Sequence, residues 1–352
     1  MSVILVIGPY FSSKVLIIVL LTSIVKPKFT SQIYIPMKHP IYALLLTTAL
    51  LGVSLSSCKK DEKEDAKLNE EFKQFNDDSN FYKGESDQAD NDINNAIRDI
   101  PAFGKVVYVQ SSPLCGVTID STQLAQKILF FNFDGVTPCF SPSRTRHGQI
   151  KVQLTSGTYW SDVNAVLTIT YINFKITRLY DNKSITFNGV KTLQNVNGND
   201  WLGFLNATST LKYRERAFNI QVLFSSGATA IWNSARTSEW SYDPNGPGNL
   251  PKIDIACNGD TTLNGYTFVD SWGINRFGNP FTTYYNTPWI SNTYCGLGRP
   301  NTGQLTHNVN NSNFVLTLGL DQNGNPTPYD CAYGFKVSWT VNGNTYVSIL
   351  SY

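Results

Sequence analysis

Reactive side chains are scarce in this 352-residue chain: there are three histidines, and beyond Ile100 the only glutamates are Glu215 and Glu239. No two cysteines stand at the Cys-x₂₋₄-Cys spacing of a zinc site, and only His147 and His307 lie in the body, so no metal ligands are assigned. Asp321-Gln322-Asn323-Gly324-Asn325 has half of a calcium loop's pattern but lacks the glutamate that closes one, and Asn323-Gly324 already explains it as a turn. A Gly-x-Ser-x-Gly elbow and a His-Glu-x-x-His motif are both missing. A glycosidase needs two carboxylates roughly 5 to 9.5 Å apart, and no spacing in the body marks such a pair. We therefore assign no catalytic residue and no cofactor. Glu239, inside the Trp-flanked segment Trp232–Trp240, is expected to pair with Arg236 or Arg144.

Charge is also low, at 15% of residues, and unevenly placed. Four lysines and no acid precede Cys58; Lys59–Asp99 holds 7 basic and 13 acidic residues; the remainder holds 17 and 13. The part after Cys58 thus carries 7 + 17 − 13 − 13 = −2, which excludes a phosphate-backbone binder, and no nucleic-acid partner is expected.

The N-terminal region has the features of an export signal. Met37-Lys38-His39-Pro40 precedes an apolar run, Ile41–Leu55, too short to span a bilayer. The run ends in Leu55-Ser56-Ser57-Cys58, which resembles the lipobox of bacterial lipoproteins. The resemblance implies a diacylated Cys58 after removal of residues 37–57, and two acyl chains anchor a protein stably to a membrane. Residues 1–36 fit nothing downstream and read as an over-extended gene start, since Met1 and Met37 are the only methionines. The run Lys59-Lys60-Asp61-Glu62-Lys63-Glu64-Asp65 looks like the charged tag that sends Bacteroidetes lipoproteins to the outer face of the outer membrane. Residues 58–100, acidic and rich in Asn, Lys and Glu, read as a flexible, disordered tether with helical turns near Leu68–Phe75 and Ile93–Ile100.

Beyond Pro101 the apolar period becomes two. Ile150, Val152 and Leu154 alternate with polar neighbours, as do Phe218–Phe224, Phe314–Leu318 and Phe335–Val341. Leu167, Ile169 and Tyr171 continue the pattern, which then slips to Ile172, Phe174 and Ile176 as a bulge requires. Asn-Gly occurs seven times, the preferred chemistry of tight hairpin turns. The fold class is all-β, an antiparallel meander of hairpins forming a sandwich or a curled, partly open sheet. A loop-rich seam at Tyr242–Pro251 divides a β region at 101–242 from a second at 252–352, continuous with the first or separate.

Three further segments carry a family resemblance: Arg144-Thr145-Arg146-His147-Gly148-Gln149-Ile150, Ile185–Thr192, and Trp232-Asn233-Ser234-Ala235-Arg236-Thr237-Ser238-Glu239-Trp240. They resemble elements of a family of uncharacterised Bacteroidetes outer-surface lipoproteins, over roughly Cys115 to the C-terminus. The C-terminal element departs from that pattern, keeping only Tyr329-Asp330-Cys331. The resemblance implies fold and location but no chemistry. With Cys58 lipidated, five cysteines remain. Cys115–Cys139 and Cys295–Cys331 resemble family positions, and each would join neighbouring strands across a short stretch, leaving Cys257 over. The tryptophans are expected to fill the core rather than to stack on sugars. The functional expectation is a lipid-anchored, cell-surface protein of the outer membrane with a binding or structural role. Its partners are the membrane, through the N-terminal lipid, and a glycan or an outer-membrane protein. The alternatives are an accessory subunit of an outer-membrane complex and a glycan-acting hydrolase.

Overall fold

A computed structural model describes residues 59–98, 100–104, 114–139, 143–198, 204, 210–245, 251–296, 299–327, 331–341 and 344–352. Cys58, the segments 1–36 and 37–57, and Trp201 lie outside these residues. Among the described residues, one long helix, α1 (Lys59–Arg98), precedes fifteen strands. The chain divides after Phe72 into two compact units, and from Lys73 onward helix and strands belong to the same unit. Of the preceding unit's described residues, Lys67 and Glu71 pair one helical turn apart.

The strands are β1 (Val117–Asp120), β2 (Ile128–Asp134), β3 (Arg144–Ser156), β4 (Ala165–Arg178), β5 (Ser184–Asn195), β6 (Leu211–Phe224) and β7 (Thr229–Asp243). They continue as β8 (Lys252–Gly259), β9 (Thr261–Leu263), β10 (Tyr266–Ile274), β11 (Pro280–Asn292), β12 (Thr302–Val309), β13 (Ser312–Leu320), β14 (Gly334–Val341) and β15 (Asn344–Ser351). All join one antiparallel sheet in which sequence neighbours pair, with a single complication. β8 and β10 both lie between β7 and β11: Arg236–Asp243 of β7 pairs with β8, and Ile231–Ser234 pairs with β10. The excursion between them is the β9–β10 hairpin, whose turn Asn264–Gly265 has positive φ at both residues. The expected meander is therefore present as one curled, open sheet with β1 and β15 at its edges. The expected seam does not separate two sheets, because β7 and β8 pair directly.

The expected tether is overturned from Lys73 onward. In that part of α1 the buried positions are Phe75, Asp78, Ser79, Tyr82, Glu85, Ser86, Ala89, Asp90, Asp92, Ile93, Ala96 and Ile97. Their three- and four-residue spacing is the helical period, but half of them are polar, which is why composition reads as disorder. The exposed residues Lys73, Asp77, Asn80, Gly84, Asn91 and Asn95 fall in a stripe about 60° wide at 100° per residue. The rest of the circumference is covered, so the sheet bends round the helix. The side chains agree. Phe75 packs between Trp232, Phe281 and His307 with ring centroids 6.0, 4.9 and 5.2 Å away, and Tyr82 stacks on Trp232 at 4.8 Å. Pro101 ends the helical run by disfavouring the α conformation before it.

A seam of bulges bends the sheet. In β4, Tyr171 and Phe174 point inward while Ile172 and Asn173 between them are exposed. The same four-residue pattern recurs in β6 at Ala217-Phe218-Asn219-Ile220. Asn173 and Asn219 both have positive φ, and their N–H groups donate to Asn188 Oδ1 and Asn233 Oδ1 on the following strands, each at 2.8 Å. Glycines on flanking strands admit the displaced backbone: a Cβ on Gly148 would lie 2.1 Å from the Asn173 carbonyl oxygen. Such insertions increase local twist. The phase slip at Tyr171 is thus a bulge, with Ile172 itself turned outward.

These contacts predict opposite effects for two glycine substitutions. Gly148→Ala, at φ +97 with no room for a Cβ, should destabilise by about 2 kcal/mol or more. Gly84→Ala, mid-helix with open space around it, should stabilise by up to about 1 kcal/mol. Urea denaturation of both variants checks the pair.

Candidate functional site

Two places could carry function: the charged interface between helix and sheet, and the outward face along the bulge seam. At the first, six ion pairs join α1 to the strands and loops among the described residues. They are Asp78–Arg276, Lys83–Asp270, Glu85–Arg144, Asp87–Arg236, Asp90–Lys191 and Asp92–Arg146. Glu85 and Asp92 leave one flank of the helix toward β3, while Lys83 and Asp87 leave the other toward β10 and β7. Four strand spacings separate β3 from β7, about 19 Å on a flat sheet; curvature brings both within reach of one helix.

Lys191 is the centre of this network. It is fully buried, its Nζ 2.8 Å from Ser86 Oγ, 2.7 Å from Asp90 Oδ1 and 3.5 Å from Glu215 Oε2. Glu215 also accepts from Ser234 Oγ at 2.5 Å and Arg236 at 2.9 Å. Burial raises the Glu215 carboxyl, but the Arg236 and Lys191 charges and the Ser234 hydrogen bond outweigh it and hold the group well below the usual range. Burial pushes Asp90 up, opposed by the Lys191 ammonium. Burial alone would lower Lys191, yet Asp90 and its other neighbours hold it well above its ordinary value, so it stays charged.

Carboxylate oxygens of Asp87, Asp90 and Glu215 lie within 4.8 Å of one another, close enough to bracket a cation. Lys191 and Arg236 already lie against the same oxygens, so the positive charge there comes from the protein itself. Asp90 and Glu215 are buried between α1 and the sheet, while the Asp87 side chain is about half exposed. His307, buried against Phe75, is pushed down to about 3 by burial and by the Lys83 ammonium, and is neutral.

The other residues singled out in the sequence separate cleanly. Disulfides Cys115–Cys139 and Cys295–Cys331 are both formed, with Cα atoms 5.7 and 5.1 Å apart. Cys257 is free and packs against a small core of Phe204, Leu211, Ile253 and Ile255; burial pushes its thiol up to about 12, far from a reactive thiolate. Glu239 pairs with Lys212 at 3.2 Å, not with Arg236 or Arg144. The strand pairing explains this correction: Lys212 stands directly opposite Glu239, while Arg236 stands opposite Glu215. Asp321 accepts the Asn323 and Asn325 amides at 2.8 Å, as a turn. Trp160 and Trp232 are core residues.

The outward face is different in kind. Ile172 (β4), Val190 (β5), Phe218 (β6), Ile231 (β7) and Ile274 (β10) are all 38% exposed or more, on five neighbouring strands. Val190 pairs with Phe218, Ile231 pairs with Ile274, and Phe218 meets the Trp272 ring edge-on at 6.0 Å. Ile172 and Phe218 stand in the bulges beside Asn173 and Asn219, while Val190, Ile231 and Ile274 face outward by ordinary strand alternation. The repeated apolar-Asn pair in mid-strand was the available signal for the two bulge positions. Two shallow surface hollows, about 390 and 330 Å³, are lined by residues such as Asn313 and Trp339 or Tyr266 and Tyr284, and neither lining includes a carboxylate.

No protein family, no curated protein and no solved structure matches this chain.

Lys191→Met should cost about 3 to 5 kcal/mol, because it leaves Asp90 and Glu215 buried without their shared cation. Chemical denaturation measures this, and a loss below about 1 kcal/mol would refute the network's role.

Proposed function

We propose that the protein is a lipid-anchored protein of the outer cell surface, held through acyl chains on Cys58, whose body docks a partner protein and catalyses nothing. The anchor rests on the lipobox-like Leu55-Ser56-Ser57-Cys58 and the charged run that follows it. One observation carries the binding role. The inner face of the curled sheet, where a ligand would otherwise lodge, is filled by the protein's own helix, and the row Ile172, Val190, Phe218, Ile231 and Ile274 is left facing outward. Contiguous exposed apolar surface is unfavourable in water and is a mark of interaction sites.

The row's chemistry favours a protein over a glycan. Four of its five members are aliphatic, and sugar rings stack on aromatic faces. The pair Tyr266 and Tyr284 is stacked on itself at 4.5 Å, so one face of each ring is already used.

The test is capture of partners from the native membrane by wild type and by the double variant Phe218→Ser, Ile231→Ser. Both side chains are exposed, so the variant should keep its melting temperature and lose its partner. Equal recovery of the same partner would exclude the row as the docking site. Turnover of a polysaccharide or peptide by the purified protein would overturn the non-catalytic reading itself.

A further inference from the structure

The two edges of the sheet are protected very differently. β1 is four residues long and carries Asp120. β15 is eight residues long and pairs only with β14. From Val337 to Tyr352 the sequence contains no Asp, Glu, Lys, Arg or Pro. Natural sheets blunt exposed edges with charges, prolines, bulges or short strands. β15 has none of these, and its residues Thr345, Tyr346, Val347 and Ile349 are good strand formers.

The register determines which groups the edge offers. Val309 and Ser312 close the two-residue turn Asn310–Asn311, both of whose φ angles are positive, and are therefore a hydrogen-bonded pair. Alternation carried through β13 and β14 makes Val337–Ser348 and Trp339–Tyr346 hydrogen-bonded pairs as well. Tyr346, Ser348 and Leu350 thus direct their backbone groups at β14, while Thr345, Val347, Ile349 and Ser351 direct theirs outward. Among the described residues, no backbone group meets them.

These four positions are symmetric about Ser348. We propose that β15 is an interface with a second copy of this chain, the two β15 strands pairing antiparallel across a twofold axis at Ser348. In that register Thr345 meets Ser351 of the second copy and Val347 meets Ile349, and every outward N–H and C=O is satisfied. Side chains match too: Val347 faces Ile349, Tyr346 faces Leu350, and Ser348 faces its own equivalent. β-Branched and aromatic–aliphatic cross-strand pairs are favourable. The absence of charge decides between occupants, because self-pairing places identical side chains symmetrically and any charge near the axis would meet its like. Val347 and Leu350, 58% and 43% exposed, would be covered.

The experiment is mass determination by light scattering on the full chain in mild detergent, with Cys257→Ser as background. The unsubstituted edge should give a dimer at micromolar concentration. Val347→Pro removes an N–H that β14 does not use, so the fold should persist while self-association weakens by about ten-fold or more. Ser348→Cys should form an interchain disulfide on mild oxidation, since facing non-hydrogen-bonded Cα atoms lie about 4.5 Å apart. Thr345→Cys, facing Ser351, should not. A monomer, a dimer indifferent to Val347→Pro, or an edge occupied by a strand of another protein would each overturn the proposal.

Discussion

Matched charge between an acidic helix and a basic sheet interior is the constraint on which this structure depends. A carboxylate taken out of water costs several kcal/mol unless a cation and hydrogen bonds meet it. Asp78, Glu85, Asp90 and Asp92 are all buried, and each has its cation on the sheet or on the loop after β10. Sliding α1 by one residue would strand all of these at once. The ion pairs therefore select one placement of the helix, while the apolar contacts of Phe75, Tyr82, Ile93 and Ile97 supply burial. The charge asymmetry of the sequence, 13 acids against 7 bases over Lys59–Asp99 and 17 bases against 13 acids from Ile100 on, is the outward sign of this match.

The sheet was largely legible in the sequence, for a reason visible in β3: Ile150, Val152 and Leu154 face a core and their neighbours do not, so period two survives. The disulfides followed from few cysteines and short separations. The helix was not legible, because its buried stripe is half polar; Asp90 and Ser86 count as solvent-facing in any reading that cannot see Lys191 waiting for them. Hairpin chemistry was partly misleading. Asn264–Gly265 is a true tight turn, but Asn188–Gly189 lies inside β5 at the bulge seam, and Asn310–Asn311 makes a hairpin with no glycine at all.

The same geometry links fold to surface chemistry. Bulges that let the sheet encircle α1 insert one extra residue in β4 and β6, and that residue is displaced outward whatever its polarity. Ile172 and Phe218 stand in these bulges, where a polar residue would fit as well, and add two apolar side chains to the outer face beside Val190, Ile231 and Ile274.

Native-state hydrogen exchange tests the central claim most directly, since a helix held as the core of the sheet must open only when the sheet opens. The account predicts that amides of Tyr82–Ile97 exchange as slowly as those of β4 to β6, with one common opening free energy. Exchange of these helix amides at the rate of an unstructured chain, while the strands stay protected, would contradict it.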